Sequence, residues 1–133
     1  MPARSRRGRP LLAAASAVYL AVLAALTLGP QPEAAGDGIG AVAAWLHGWP
    51  PTAWVDAALI EFCSNIALFV PWGALCVLWS RRRRWWLGIL TGLAASGVIE
   101  TVQGLLLPGR VADVRDLIAN TLGAAAGALV LRA

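Results

Sequence analysis

Trp79-Ser80-Arg81-Arg82-Arg83-Arg84-Trp85-Trp86 is the stretch that decides how this chain is read. Four consecutive arginines, bracketed by tryptophans, separate two long apolar runs at 57–79 and 85–107. Arginine clusters beside apolar runs mark the cytoplasmic face of a membrane, and flanking tryptophans mark its interface. Outward from there, Arg4, Arg6, Arg7 and Arg9 precede an uncharged run at 11–28, and a fourth segment at 116–132 ends on Arg132. The first three runs are long enough to cross a hydrocarbon layer of about 30 Å, and Asp116 and Arg132 extend the shorter fourth to both interfaces. A cleaved signal peptide competes for 11–28, but its length exceeds the usual signal core and favours a retained helix.

Arginine placement then orients the chain. With the N-terminus inside, nine of the eleven arginines are cytoplasmic and only Arg110 and Arg115 are external. That imbalance assigns both termini to the cytoplasm. All seven acids keep to the external connections or to the apolar runs near them. The expected fold class is an all-α membrane protein: one domain over 1–133, a four-transmembrane-helix bundle with both termini cytoplasmic.

Composition excludes other classes. The chain has 133 residues, 59% of them hydrophobic, and a mean hydropathy of +0.67, which leaves little room for a soluble module. A net charge of +4 invites a nucleic-acid partner, yet eight arginines sit in two clusters beside apolar runs, without the interleaved aromatics of a nucleic-acid surface. No nucleic-acid partner is expected. Cys63 and Cys76 lie thirteen residues apart in one run, about 20 Å along a helix, too far for a bridge. They read as core thiols. His47 has no second ligand nearby and no Cys/His cluster exists, so neither metal nor cofactor is expected.

The external connection 29–56 opens Gly29-Pro30-Gln31-Pro32 and breaks at Gly36-Asp37-Gly38. A short interfacial helix is expected at 39–47, held on the outer headgroup layer by Trp45, Trp49 and Trp54. It serves either as an anchor or as a lid over an outward-facing site.

Polar residues inside the apolar runs carry the functional argument, because each is costly in lipid. Glu61 and Asn65 share a face of the second span; Gly88, Gly92, Ser96, Glu100 and Gln103 form a stripe on the third; Asp116, Asn120, Gly123 and Gly127 form one on the fourth. The Gly88/Gly92 and Gly123/Gly127 pairs permit close backbone approach, within the chain or in a dimer alike, so no oligomeric state is assigned. At 1.5 Å per residue, Glu61, Glu100 and Asn120 fall at a similar depth below the outer boundary, with Asn65 about one turn deeper. A polar cavity open to the outside is expected, rimmed by Arg110, Asp113, Arg115 and Asp116. Pro71 breaks one backbone bond in the second span and predicts a kink that either widens the cavity or fits the packing.

Asn65-Ile66-Ala67-Leu68-Phe69-Val70-Pro71-Trp72-Gly73 resembles the N-x-x-x-F-x-P-x-G stretch of the VanZ-like family. Glu100, Gln103, Gly109-Arg110, Asp113, Asp116, Asn120 and Gly123 resemble its second signature, E-x-x-Q…G-R…D-x-x-D-x-x-x-N-x-x-G. The resemblance covers 61–127 and excludes the Trp-rich connection and the arginine quartet. It implies a multi-pass protein of the bacterial cytoplasmic (inner) membrane with about four helices, associated with low-level resistance to the glycopeptide teicoplanin. By position it carries over Asn65, Pro71, Gly73, Glu100, Gln103, Arg110, Asp113, Asp116, Asn120 and Gly123.

Three readings remain open. In the first, the cavity binds a membrane lipid or a lipid-linked cell-wall precursor: Arg110 and Arg115 hold phosphate, while Asn65, Glu100, Gln103, Asp113, Asp116 and Asn120 complete the site and Glu61 adds to it. In the second, Glu100 with Glu61 or Asp116 is the acid/base pair of an intramembrane hydrolase or transferase. In the third, these residues only tie helices together.

Overall fold

A computed structural model describes residues 4–29, 32–107 and 113–132, with side chains from 8, 36 and 113 onward in those stretches. Five α-helices follow in order: α1 (Arg4–Leu28), α2 (Pro32–His47), α3 (Ala57–Trp79), α4 (Trp85–Leu106) and α5 (Val114–Arg132). A 3-10 turn, Pro50–Thr52, lies between α2 and α3, and no strand occurs among the described residues. Four helices are long and apolar enough to cross a membrane, over Gly8–Leu28, Ala57–Trp79, Trp85–Leu106 and Val114–Arg132. Large apolar side chains such as Val18, Leu90, Val98, Leu105 and Val130 point outward, as lipid-facing surfaces must.

The helix ends follow local chemistry. Asp56 caps α3, its carboxylate accepting from the Leu59 amide at 2.7 Å. Asp113 does the same for α5, its Oδ1 accepting from the Arg115 amide at 2.8 Å. That cap starts α5 at Val114, two residues earlier than the acid-to-arginine segment implies. At the other end of α3, the Arg82 amide donates to the Val77 carbonyl at 2.9 Å and the Arg81 amide to that of Leu78 at 3.3 Å. This is a Schellman ending, with Arg81 (φ 52°) in the left-handed position that glycine ordinarily fills and Arg82 (φ 66°) left-handed too.

Two expectations are corrected. The break expected at Gly36-Asp37-Gly38 is absent, and α2 runs unbroken from Pro32. Proline at the first helical position is pre-set for that backbone, and glycine disfavours a helix by only about 1 kcal/mol each; Ala43 is buried and α2 packs against α3. Cys63 is no core thiol: it is exposed, while Cys76 is half-buried with its Sγ 3.5 Å from Thr91 Oγ1. α3 runs on through Pro71. Tyr19 of α1 donates to the Leu68 carbonyl at 3.0 Å, beside the carbonyl that the proline ring leaves without its helical donor.

The core lies where α5 packs along α3 and, less extensively, along α4. Small residues make this contact. A Cβ on Gly73 would meet the Ala124 carbonyl, one on Gly123 that of Ile66, and one on Gly127 that of Val70. Backbone thus touches backbone at three successive levels. Gly88 and Gly92 turn the same kind of surface from α4 toward Gly73 and Ala124. All of these glycines are buried within the chain's own bundle.

α1 stands at the edge and is fastened at three heights. Trp79 Nε1 donates to Ser16 Oγ at 3.0 Å near one end of the bundle, and Tyr19 meets Leu68 near the middle. Near the other end, Gln103 Nε2 donates to the Thr27 carbonyl at 2.7 Å. These contacts set the start of α1 at the same end as Arg81–Arg84. Arg132 joins them there, its guanidinium 4.4 Å from the centre of the Trp85 ring.

Candidate functional site

The polar residues gather at the end of the bundle opposite the arginine quartet, on the faces that α4 and α5 turn inward. The buried residues of α4 are Gly88, Gly92, Ser96, Glu100 and Gln103, the five that the 3.6-residue period puts on one stripe. On α5 the buried set is Ala119, Asn120, Gly123, Ala124, Gly127 and Ala128, with Asp116 half-buried a turn before Asn120.

Among the described residues these side chains form successive pairings. Nearest the end of α4, Gln103 crosses to the Thr27 carbonyl of α1. One turn in, a Glu100 carboxylate oxygen accepts the Asp113 amide at 2.8 Å. At the start of α5, Asn65 Nδ2 donates to Asp116 Oδ1 at 2.8 Å, joining α3 to α5. Deepest, Asn120 Nδ2 donates to Ser96 Oγ at 2.9 Å, joining α5 to α4. Asn65 is therefore level with Asp116, a turn nearer the outer end than Asn120, whereas the depth arithmetic puts it about one turn deeper. Asn120 in turn meets Ser96 rather than the Glu100 level. Helical periodicity predicts a shared face, but the stagger between helices sets which rungs meet.

One candidate residue stands differently from the expectation. Glu61 is exposed, outside the buried cluster, although its charge still acts on Asp116 along with those of Asp113 and Arg115. Arg115 is exposed in the first turn of α5. Arg110, with Gly109, lies outside the described residues. Pro71 is exposed on α3, away from the cluster, and Gly73 belongs to the α3–α5 seam.

Beside Glu100 the surface opens into a pocket of about 220 Å³ lined by Gly97, Glu100, Asp113, Val114 and Leu117. Its walls are apolar, and the Glu100 carboxylate, 8% exposed, forms its polar edge with Asp113. A carboxylate accepts hydrogen bonds and donates none, so this pocket suits a group carrying hydroxyl, amide or ammonium donors. The carboxylates named as an acid/base pair are engaged separately, Glu100 by the Asp113 amide and Asp116 by Asn65. Among the described residues no group of three or more His, Cys, Asp or Glu side chains is placed to hold a metal ion.

One acceptor is left over. Asn120 Oδ1 is buried and has no hydrogen-bond partner among the described residues. Such an atom costs about 1–3 kcal/mol in a native interior, a cost usually retained only where the group has a further use. The sequence pattern puts Ser96 on the buried stripe without showing it as Asn120's partner. It also passes over Ser16, Tyr19 and Thr27, whose signal is their spacing: with Leu23 they recur at i, i+3, i+7 and i+11 along an otherwise apolar run.

Neither a curated protein nor a solved structure matches the chain. The VanZ/LLP1 family model matches residues 16–133, a span that holds the pocket, the polar pairings, the glycine seam and most of α1. The resemblance carried by residues 61–127 thus extends over nearly the whole chain, which belongs to the VanZ/LLP1 family of membrane proteins.

Proposed function

We propose that the pocket between α4 and α5 receives the polar end of a cell-envelope lipid or lipid-linked glycan, and that its occupancy lowers susceptibility to glycopeptides such as teicoplanin. The observation that carries this reading is the Glu100 carboxylate, almost wholly buried yet forming the polar edge of an apolar-walled pocket. A carboxylate accepts several hydrogen bonds at once, so a ligand hydroxyl or amide facing the pocket forms a charge-assisted bond worth about 1.5–3 kcal/mol beside the one from the Asp113 amide. The start of α5 supports the same ligand class: Arg115 and the helix N-terminus favour phosphate, the group that links a glycan to its lipid. Val114, Leu117 and Gly97 offer the adjoining apolar surface to the lipid chain.

A structural reading also has an observation in its favour, since Asn65–Asp116, Asn120–Ser96 and Gln103–Thr27 each tie two helices. Two variants separate the readings. Glu100→Gln keeps an oxygen to accept the Asp113 amide but removes the charge. Gly97→Leu fills the pocket from a position where an added Cβ meets nothing within 4 Å. Lipids retained by purified wild type and both variants are identified by mass spectrometry, and teicoplanin susceptibility is scored in the same strains. Both variants are expected to fold, lose the retained envelope lipid and lose the susceptibility effect. If folded Gly97→Leu keeps both, the pocket is not the binding site.

A further inference from the structure

At the opposite end of the bundle lies a larger groove that the reading above does not use. It occupies about 540 Å³ and is lined by Arg81, Arg83, Arg84, Trp79 and Leu87, with Cys76 and Thr91 reaching one turn further in. Three arginines thus adjoin an apolar wall where the α3 and α4 spans meet. No acid lines the groove, and none of the four arginines is ion-paired among the described residues. The N-terminus of α4 opens onto the same space through Leu87 in its first turn, adding its partial positive charge.

The backbone gives an independent argument. Arg81 and Arg82 both hold left-handed conformations, φ 52° and 66°, which ordinary side chains adopt at a cost. Glycine would end α3 more readily at position 81. A requirement for orientation alone does not explain the choice, because charge anywhere near this end satisfies it and the other arginines supply that charge. The turn sends residues 81, 83 and 84 into the groove and leaves Arg82 out of it.

We infer that this groove binds an anionic glycerophospholipid of the adjoining leaflet, its phosphate held by Arg81, Arg83 and Arg84 and an acyl chain laid along Trp79, Cys76 and Leu87. Basic pockets between spans commonly take such headgroups. The site is separate from the Glu100 pocket and independent of its function.

The pair Arg83→Gln and Arg82→Gln tests the inference, since each removes one charge and leaves three, but only the first alters the groove. Full-length protein in nanodiscs of phosphatidylcholine with a minor share of phosphatidylglycerol is released and weighed by native mass spectrometry. Wild type is expected to retain phosphatidylglycerol over phosphatidylcholine. Arg83→Gln and, as a second groove variant, Arg84→Gln each lower that retention by about tenfold, the worth of one charge-assisted bond. Arg82→Gln lowers it less than about twofold, as a solvent-facing charge does. Equal losses in Arg82→Gln and Arg83→Gln would overturn the site in favour of diffuse attraction. Retention of phosphatidylglycerol no better than phosphatidylcholine would overturn it as well. So would inorganic phosphate binding as tightly as the lipid, because the anion alone would then be the ligand.

Discussion

The two halves of this bundle are held by different physics. Toward the arginine end, α3, α4 and α5 meet through Gly73, Gly88 and Gly127, where backbone lies against backbone, and through Gly92, which faces the Ala124 methyl and the Trp72 ring. Toward the other end the same helices meet through Asn65, Ser96, Glu100, Asp116 and Asn120, and the contact is hydrogen bonds between buried polar groups. Lipid gives apolar side chains no reason to leave it, so helices associate by close packing or by polar pairing. Close packing is cheap and stable. Polar pairing leaves Asn120 Oδ1, among the described residues, without a hydrogen-bond partner, and it sets Glu100 at the edge of a pocket.

The largest effect is expected in the glycine seam. Gly127→Leu places a side chain where the Val70 carbonyl sits, so the helices must part; overpacking at one contact already costs about 1–3 kcal/mol, and a rigid backbone neighbour raises it further. Thermal unfolding in detergent should show loss of the cooperative transition. A stable Gly127→Leu protein would erase the contrast between the halves.

Glu100→Ala comes next. It strands the Asp113 amide as well as removing the charge, for about 2 kcal/mol of lost stability, whereas Glu100→Gln should melt close to wild type. Identical melting of the two variants would mean that the Asp113 bond contributes nothing.

The double change Ser96→Ala with Asn120→Leu removes both partners and the orphaned acceptor together. Apolar replacement of a whole pair is close to neutral or stabilising, so the melting temperature should hold or rise. A large drop in melting temperature would place these residues with the structural glue. Smallest is Gly97→Ala, which meets nothing within 4 Å and gains helix propensity, about 1 kcal/mol at most. A marked destabilisation there would show that α4 is packed more tightly at the pocket than its surface suggests.

Residues differ in how far their placement was legible beforehand. The stripe Gly88, Gly92, Ser96, Glu100, Gln103 is buried as its spacing implies, because a helix that must turn one face inward turns its small and polar one. Glu61 and Asn65 share a face by the same arithmetic, yet Glu61 is exposed while Asn65 is paired with Asp116. Four residues along a helix make about one full turn, and periodicity contains no information on what a neighbouring helix presents at each level. α2 shows the reverse error: glycines that weaken a helix did not stop one whose opposite face is covered.

Span lengths, their order and the gathering of arginines at one end are written in the chain itself, since hydropathy and charge add up locally and the bilayer reads them segment by segment. Which rung of one helix faces which rung of another is not local. The Asn65–Asp116 and Ser96–Asn120 bonds, the exclusion of Glu61 and the two pockets at opposite ends depend on helix rotation and stagger, and those were decided only when the glycines let α3, α4 and α5 close on one another.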